Sequence, residues 1–182
     1  MERREAIKWV ASLFGGTLIG AEAFLAGCTT DSEITFFSSE EIKLLDEIGE
    51  TILPETSKSP GAKAAKIAEF MQKIVRDCYS ADEQKIFRSG LVEVEEKADQ
   101  DFKNSFLKLS STQRLEIFTE LDELAKVKSE NDVLHFFTMM KQLTIWGFFT
   151  SEVGATKALR YDPIPGSYEG CLDLKPGQPA WY

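Results

Sequence analysis

Histidine is almost missing from these 182 residues: His135 stands alone, accompanied by only three cysteines, six prolines and three tryptophans. That scarcity excludes much chemistry. Covalent c-type haem needs a Cys-x-x-Cys-His run, and none occurs. A Rossmann domain holding flavin or nicotinamide needs a glycine-rich turn between strand and helix, which is also missing. Gly15, Gly16 and Gly20 lie in an N-terminal apolar run and make no phosphate loop. No serine stands in a nucleophile-elbow sequence, so His135 has no hydrolase triad to join. His135 follows Asp132 by three residues in an aromatic, apolar segment read as helix. A neutral, hydrogen-bonded histidine near the core is expected there rather than a ligand or base. The expectation is therefore no catalytic residue, no metal site and no cofactor bound by this chain.

Positive charge is also in short supply. Lys and Arg number 21 against 30 Asp and Glu, a formal net charge of -9. Such a body repels nucleic acid and anionic lipid headgroups, so neither is an expected partner. Nor is there a run of about 20 strongly apolar residues, the length a comfortable membrane span requires. The stretch from Trp9 to Ala26 comes nearest, but Ser12, Gly15, Gly16, Thr17 and Gly20 dilute it.

That stretch has the layout of an export signal, a basic front end held at the cytoplasmic face ahead of an apolar part that enters the bilayer. The string RREAIK, with Arg3 and Arg4, resembles the twin-arginine pattern; Ile7 and Lys8 fit it, and Ala6 stands where phenylalanine is usual. Weak hydrophobicity suits that route, whose cargo crosses already folded. The alternative is an ordinary secretory signal that carries two arginines. The run ends in Leu25, Ala26, Gly27 and Cys28, which resembles a bacterial lipobox in which the Cys28 thiol receives diacylglycerol. The other reading is a small cysteine buried in a short helix. Buried methylenes contribute roughly 0.8 kcal/mol each, so the acyl chains of a lipidated Cys28 would be the membrane link. Residues 1–27 thus read as a signal peptide, 28–37 as a lipidated N-terminus and tether, 38–161 as a helical domain and 162–182 as an irregular tail. The expected location is the periplasmic side of the bacterial envelope.

After Cys28, only Cys78 and Cys171 remain. A bridge between them would close a loop of roughly 90 residues and contribute about 4 to 5 kcal/mol in the chain-entropy model. Two separate buried thiols are the other reading, since sequence does not give the Cα separation.

Helical signals begin at Ser38, which forms a capping box with Glu41 ahead of Ile42, Leu45, Ile48 and Ile52, and Pro54 stops the run. Ser59 with Pro60 predicts the start of a second helix, with Phe70, Met71, Ile74, Val75 and Cys78 facing inward. Ser80 with Glu83 opens a longer helix carrying Phe87, Leu91, Val94 and Phe102 on one stripe. Its other side holds Glu93, Glu95, Glu96, Asp99 and Asp101, read as a charged face rather than a calcium site, which needs oxygens converging from a tight loop. Ser110 with Gln113 starts a helix with Leu115, Phe118, Leu121 and Ala125; Ser129 precedes another with Val133, Phe136, Phe137, Met140 and Leu143. The reading is a compact all-α bundle of five or six helices.

The composition changes abruptly after Tyr161. Pro163, Pro165, Gly166, Gly170, Pro176, Gly177 and Pro179 forbid a long helix, while Tyr168, Trp181 and Tyr182 bring apolar area that so short a tail cannot bury alone. Either the tail wraps over its own domain, or Trp146, Phe148, Phe149, Tyr161, Tyr168, Trp181 and Tyr182 form a partner interface. At these residues the chain resembles the gluconate 2-dehydrogenase subunit 3 family, the small subunit of membrane-associated, flavin-dependent sugar and polyol dehydrogenases. The likeness lies in ETILPET (Glu50 to Thr56), in PGAKAAKIAEF (Pro60 to Phe70) and in the stretch from Gly147 to Cys171. It implies a non-catalytic partner of a large FAD-containing subunit of the glucose-methanol-choline type, which passes electrons to a cytochrome c subunit carrying haem c or to another acceptor. It also implies help in maturation and twin-arginine export of that subunit. The lipobox at Cys28 is a departure, since not every member of the family has one, and it suggests that the lipid holds the complex at the membrane here. The rival is an autonomous envelope lipoprotein with a ligand-binding or structural role.

Overall fold

The computed structural model describes residues 36–128, 134–164, 166–167, 170–173 and 175–181, together with Glu5. The expectations for Arg3, Arg4, Cys28, the signal segment, Ser129, Asp132, Val133, Tyr168 and Tyr182 fall outside the described residues. The chain divides into Met1–Thr35 and Phe36–Tyr182, and only the second unit is described below.

Five α-helices are described in that unit: α1 (Ser39–Ile52), α2 (Ile67–Cys78), α3 (Ala81–Phe102), α4 (Ser111–Lys128) and α5 (Phe136–Thr150). Short 3-10 turns cover Ala62–Ala65 and Phe106–Lys108, and a π-turn covers Gly154–Ala158. Among the described residues the only extended pairing is an isolated bridge between Arg160 and Trp181, so the all-α reading holds. The three capping boxes form. The Glu41 N–H donates to Ser38 Oγ at 3.2 Å, the Glu83 N–H to Ser80 Oγ at 3.4 Å and the Gln113 N–H to Ser110 Oγ at 3.4 Å. Each serine N–H is answered by the Glu or Gln side chain three residues on. Such a cap is worth about 1 kcal/mol.

Helix α5 is central. It packs against α1, α2, α3 and α4, and buries Phe136, Phe137, Met139, Met140, Leu143 and Phe148. Phe137 lies edge-on to Phe118 at 5.0 Å, and Phe118 stacks on Phe106 at 5.3 Å. Each fully buried side chain of this size contributes about 1.5 to 3 kcal/mol. At Gly147 a Cβ would lie 2.5 Å from both Ile67 and Phe70, so the missing side chain is what lets α2 and α5 approach.

Four local expectations are corrected. Helix α2 does not start at Ser59 and Pro60. The Glu50 carboxylate reaches across from α1 and accepts from the Glu55 N–H at 2.8 Å and the Lys63 N–H at 3.0 Å. It thereby caps the 3-10 turn, and α2 begins only after Lys66, whose φ is 53°. Cys78 does not face inward. It is the last residue of α2, and Tyr79 fills the corner instead, edge-on to Phe87 at 6.4 Å. Leu115 is exposed, because it lies about 100° round the helix from the stripe of Ile117, Phe118, Leu121 and Ala125. The N-terminal end of that stripe is taken by Arg114, which binds Glu47 and donates to the Phe106 carbonyl at 3.1 Å and the Leu107 carbonyl at 2.7 Å. Finally, Phe37 is not tether. Its ring is fully buried 6.0 Å from Phe87, and its N–H donates to Gln72 Oε1 at 3.2 Å, so the unit begins at Phe36.

Candidate docking surface

Charge is unevenly spread along the sequence. Residues 136–182 carry Lys141, Lys157, Arg160 and Lys175 against Glu152, Asp162, Glu169 and Asp173, and so cancel. Residues 1–27 also cancel, with three of each sign, so the whole net charge of -9 falls on residues 28–135. The neutral C-terminal quarter is where the sequence placed all of its candidate interface residues.

The structure sorts those residues. Phe148 is fully buried and belongs to the core, while Phe149 is half-buried and edge-on to it at 5.1 Å. Trp146 is 53% exposed on the outer side of α5, beside Ile145 at 47%, and rests edge-on against the half-buried Phe70 at 5.4 Å. Tyr161 and Trp181 are about half exposed. Helix α5 ends where the Ser151 hydroxyl donates to the Phe148 carbonyl at 2.6 Å and accepts from the Gly154 N–H at 3.0 Å. After the π-turn, Arg160 meets the far end of the tail. Its N–H donates to the Ala180 carbonyl at 2.8 Å, and its guanidinium lies 3.7 Å from the centre of the Trp181 ring. The intervening loop is closed at that neck. Within it the Ile164 N–H donates to Asp162 Oδ1 at 3.1 Å, and the Gln178 N–H donates to the Lys175 carbonyl at 3.0 Å with Gly177 at a φ of +77°. Ile164 is 82% exposed and Leu172 is 58% exposed on this loop.

His135 is not inside a helix. It is the N-cap of α5, buried, with Nδ1 accepting from the Phe137 N–H at 3.2 Å and its ring 4.5 Å from that of Phe136. An accepting Nδ1 is a cap, and the histidine serves the fold in that role. Cys78 and Cys171 are both exposed free thiols. Two of the acids on this face of α3 make local ties: Glu95 accepts from the Phe106 N–H at 3.2 Å, and Asp101 lies 3.9 Å from Lys97, which also reaches Glu120 of α4 at 2.6 Å. Among the described residues no group of three or more His, Cys, Asp or Glu is placed to hold a metal ion, and no helix is long and apolar enough to cross a membrane.

The family model described as gluconate 2-dehydrogenase subunit 3 matches residues 39–166, from the first residue of α1 into the tail. The chain belongs to that family. Membership makes it an accessory subunit of a dehydrogenase complex of the gluconate 2-dehydrogenase type, as the ETILPET and Gly147–Cys171 stretches implied. No curated protein and no solved structure matches the chain. The family match includes Trp146, Tyr161 and Ile164 but stops before Leu172 and Trp181. Sequence reasoning missed Phe70 and Ile145 as rim residues. The signal was available at Ile145, which sits beside Trp146 on a helix whose apolar residues are too many for one buried stripe. The pairing of Arg160 with Trp181 had no signal in the sequence, because it joins positions 21 residues apart across an irregular loop.

Proposed function

We propose that this chain is the non-catalytic small subunit of a flavin-dependent, glucose-methanol-choline-type sugar or polyol dehydrogenase on the periplasmic side of the bacterial envelope. It assists maturation of the FAD-containing catalytic subunit, carries it through the twin-arginine route and anchors it through lipid on Cys28. Membership in the subunit 3 family carries this reading. The sequence supports it at the N-terminus, where Arg3 and Arg4 precede a weak apolar run ending at Cys28. A folded-cargo signal on a chain without a cofactor motif fits a cargo that is someone else's flavoprotein. The chemistry then belongs to the partner, which oxidises the sugar hydroxyl on FAD and hands electrons to haem c or another acceptor. This chain contributes a surface, a signal and an anchor.

The test is co-expression with a candidate large flavoprotein dehydrogenase subunit from the same genome, followed by purification through a C-terminal tag. Flavin absorbance and dye-linked sugar oxidation are expected to co-purify with the chain. Replacing Arg3 and Arg4 together by lysine is expected to leave the large subunit in the cytoplasm, and Cys28→Ala to release the complex from membranes into the soluble periplasmic fraction. A chain that purifies alone, with the large subunit exported regardless, defeats the proposal in favour of an autonomous lipoprotein.

A further inference from the structure

An accessory subunit needs a surface for its partner, and the placement of apolar side chains among charges singles one out. On the acidic body, five of the six large exposed hydrophobic residues among the described ones have a charged neighbour in sequence, Val92 beside Glu93, Leu107 beside Lys108, Leu115 beside Glu116, Leu124 beside Glu123 and Val127 between two lysines, and Leu134 is the exception. A charge one residue away lies at the edge of any contact centred on the apolar group, which makes such a spot a poorer interface centre. In the neutral quarter Tyr161 and Leu172 also have charged neighbours, but four of the six, Ile145, Trp146, Ile164 and Trp181, are comparably exposed or more so and have none. Interface centres are depleted in charge and enriched in aromatic residues and arginine.

From this, and resting on the accessory-subunit reading above, we infer that the catalytic flavoprotein subunit seats on the neutral quarter. Trp146 and Ile145 on the α5 rim and Ile164 on the loop closed by Arg160 and Trp181 make the contact, and the acidic body remains in solvent. The partner's matching patch is apolar and low in charge. A second copy of this chain is the poorer occupant, because joining two neutral quarters would bring two bodies of the same strong negative charge together. The neck between Arg160 and Trp181 holds the loop before the partner arrives, which reduces the ordering cost of binding.

Site-specific photo-crosslinking in the full-length chain, co-expressed with the large flavoprotein subunit, tests the placement. A benzoylphenylalanine at position 146 or 164 is expected to cross-link to the large subunit, and one at position 96 on the acidic body is not. A paired Trp146→Ser and Ile164→Ser variant is expected to bind the large subunit at least about tenfold more weakly, with an unchanged circular dichroism spectrum. Cross-links from position 96 alone, a cross-linked product of two small subunits, or unchanged affinity in the folded double variant each overturn the placement. Absence of any complex with the unmodified chain is a separate result, and it defeats the accessory reading itself.

Discussion

The acidic helical body and the neutral C-terminal quarter use similar residues for opposite ends. In the body, chain ends and turns are answered by side chains of the body itself. Serines cap α1, α3 and α4, Glu50 caps one 3-10 turn, Glu95 caps the other, and Arg114 binds two carbonyls and a carboxylate. In the neutral quarter α5 supplies the centre of the core, and then the chain leaves it. Beyond Ala158 the tail exposes Ile164 and Leu172 and is closed by one backbone hydrogen bond and one stacked arginine. The two regions therefore differ less in apolar content than in where that content points. Stability is concentrated in the first and in α5, and recognition at the outer edge of the second.

The strongest way to break this division is to damage the helix that both regions share. Phe137→Ala empties a fully packed position against Phe118, and the expected loss is about 3 to 5 kcal/mol, read from the urea midpoint. Next comes Arg114→Ala, which leaves the Phe106 and Leu107 carbonyls and the Glu47 carboxylate short of a donor. The expected loss is about 2 kcal/mol by the same measurement. Glu47 adds a pH dependence of known sign. Burial raises its pKa, but hydrogen bonds and charge from Lys63 and Arg114 outweigh burial, and the net shift is downward. A carboxylate with a depressed native pKa stabilises the fold above its unfolded value, and that contribution is lost as pH falls through the native value. Urea midpoints are accordingly expected to fall below about pH 5, and to fall less in Arg114→Ala, where part of the depression is already gone. An equally steep acid loss in that variant would remove Glu47 from the explanation.

The helices and their caps were legible because their causes are local. A serine with Glu or Gln three residues on states its own geometry, and Leu45, Ile48, Phe87, Leu91 and Val94 repeat at the helical period. Two of the misplacements share a different cause, a partner distant in sequence: Glu50 captured the Lys63 N–H and moved the start of α2, and Arg114 took a stripe position that periodicity gave to Leu115. The third is local: His135 caps, through the Phe137 N–H two residues on, a helix in which it was expected to lie. The candidate surface was legible as composition, in the aromatic tail and the change after Tyr161. Burial then separated Phe148 from Trp146, two residues apart on one helix and alike in the sequence.

The smallest expected effect sharpens the comparison most, because the same chemistry, an arginine over an exposed-edge aromatic ring, occurs in both regions. Arg88 lies 4.3 Å over the Phe36 ring and 5.1 Å from that of Phe37, and donates to the Phe36 carbonyl. Arg160 lies 3.7 Å over Trp181. An exposed pair of this kind is worth about 0.5 to 1 kcal/mol where it is coupled to folding. Arg88 is coupled, because the strand of chain it pins ends in the fully buried Phe37, so Arg88→Ala is expected to lower stability by about 1 kcal/mol. Arg160 closes a loop whose described apolar residues Ile164 and Leu172 face solvent, so Arg160→Ala is expected to change global stability by less than about 0.5 kcal/mol while speeding proteolysis within residues 161–180. If Arg160→Ala costs as much as Arg88→Ala, the loop is part of the cooperative fold and its exposed side chains are not held in reserve for a partner. A faster cut with an unchanged melting midpoint marks the loop as a separately opening unit, the behaviour required of a segment that is closed in advance and completed by the subunit it meets.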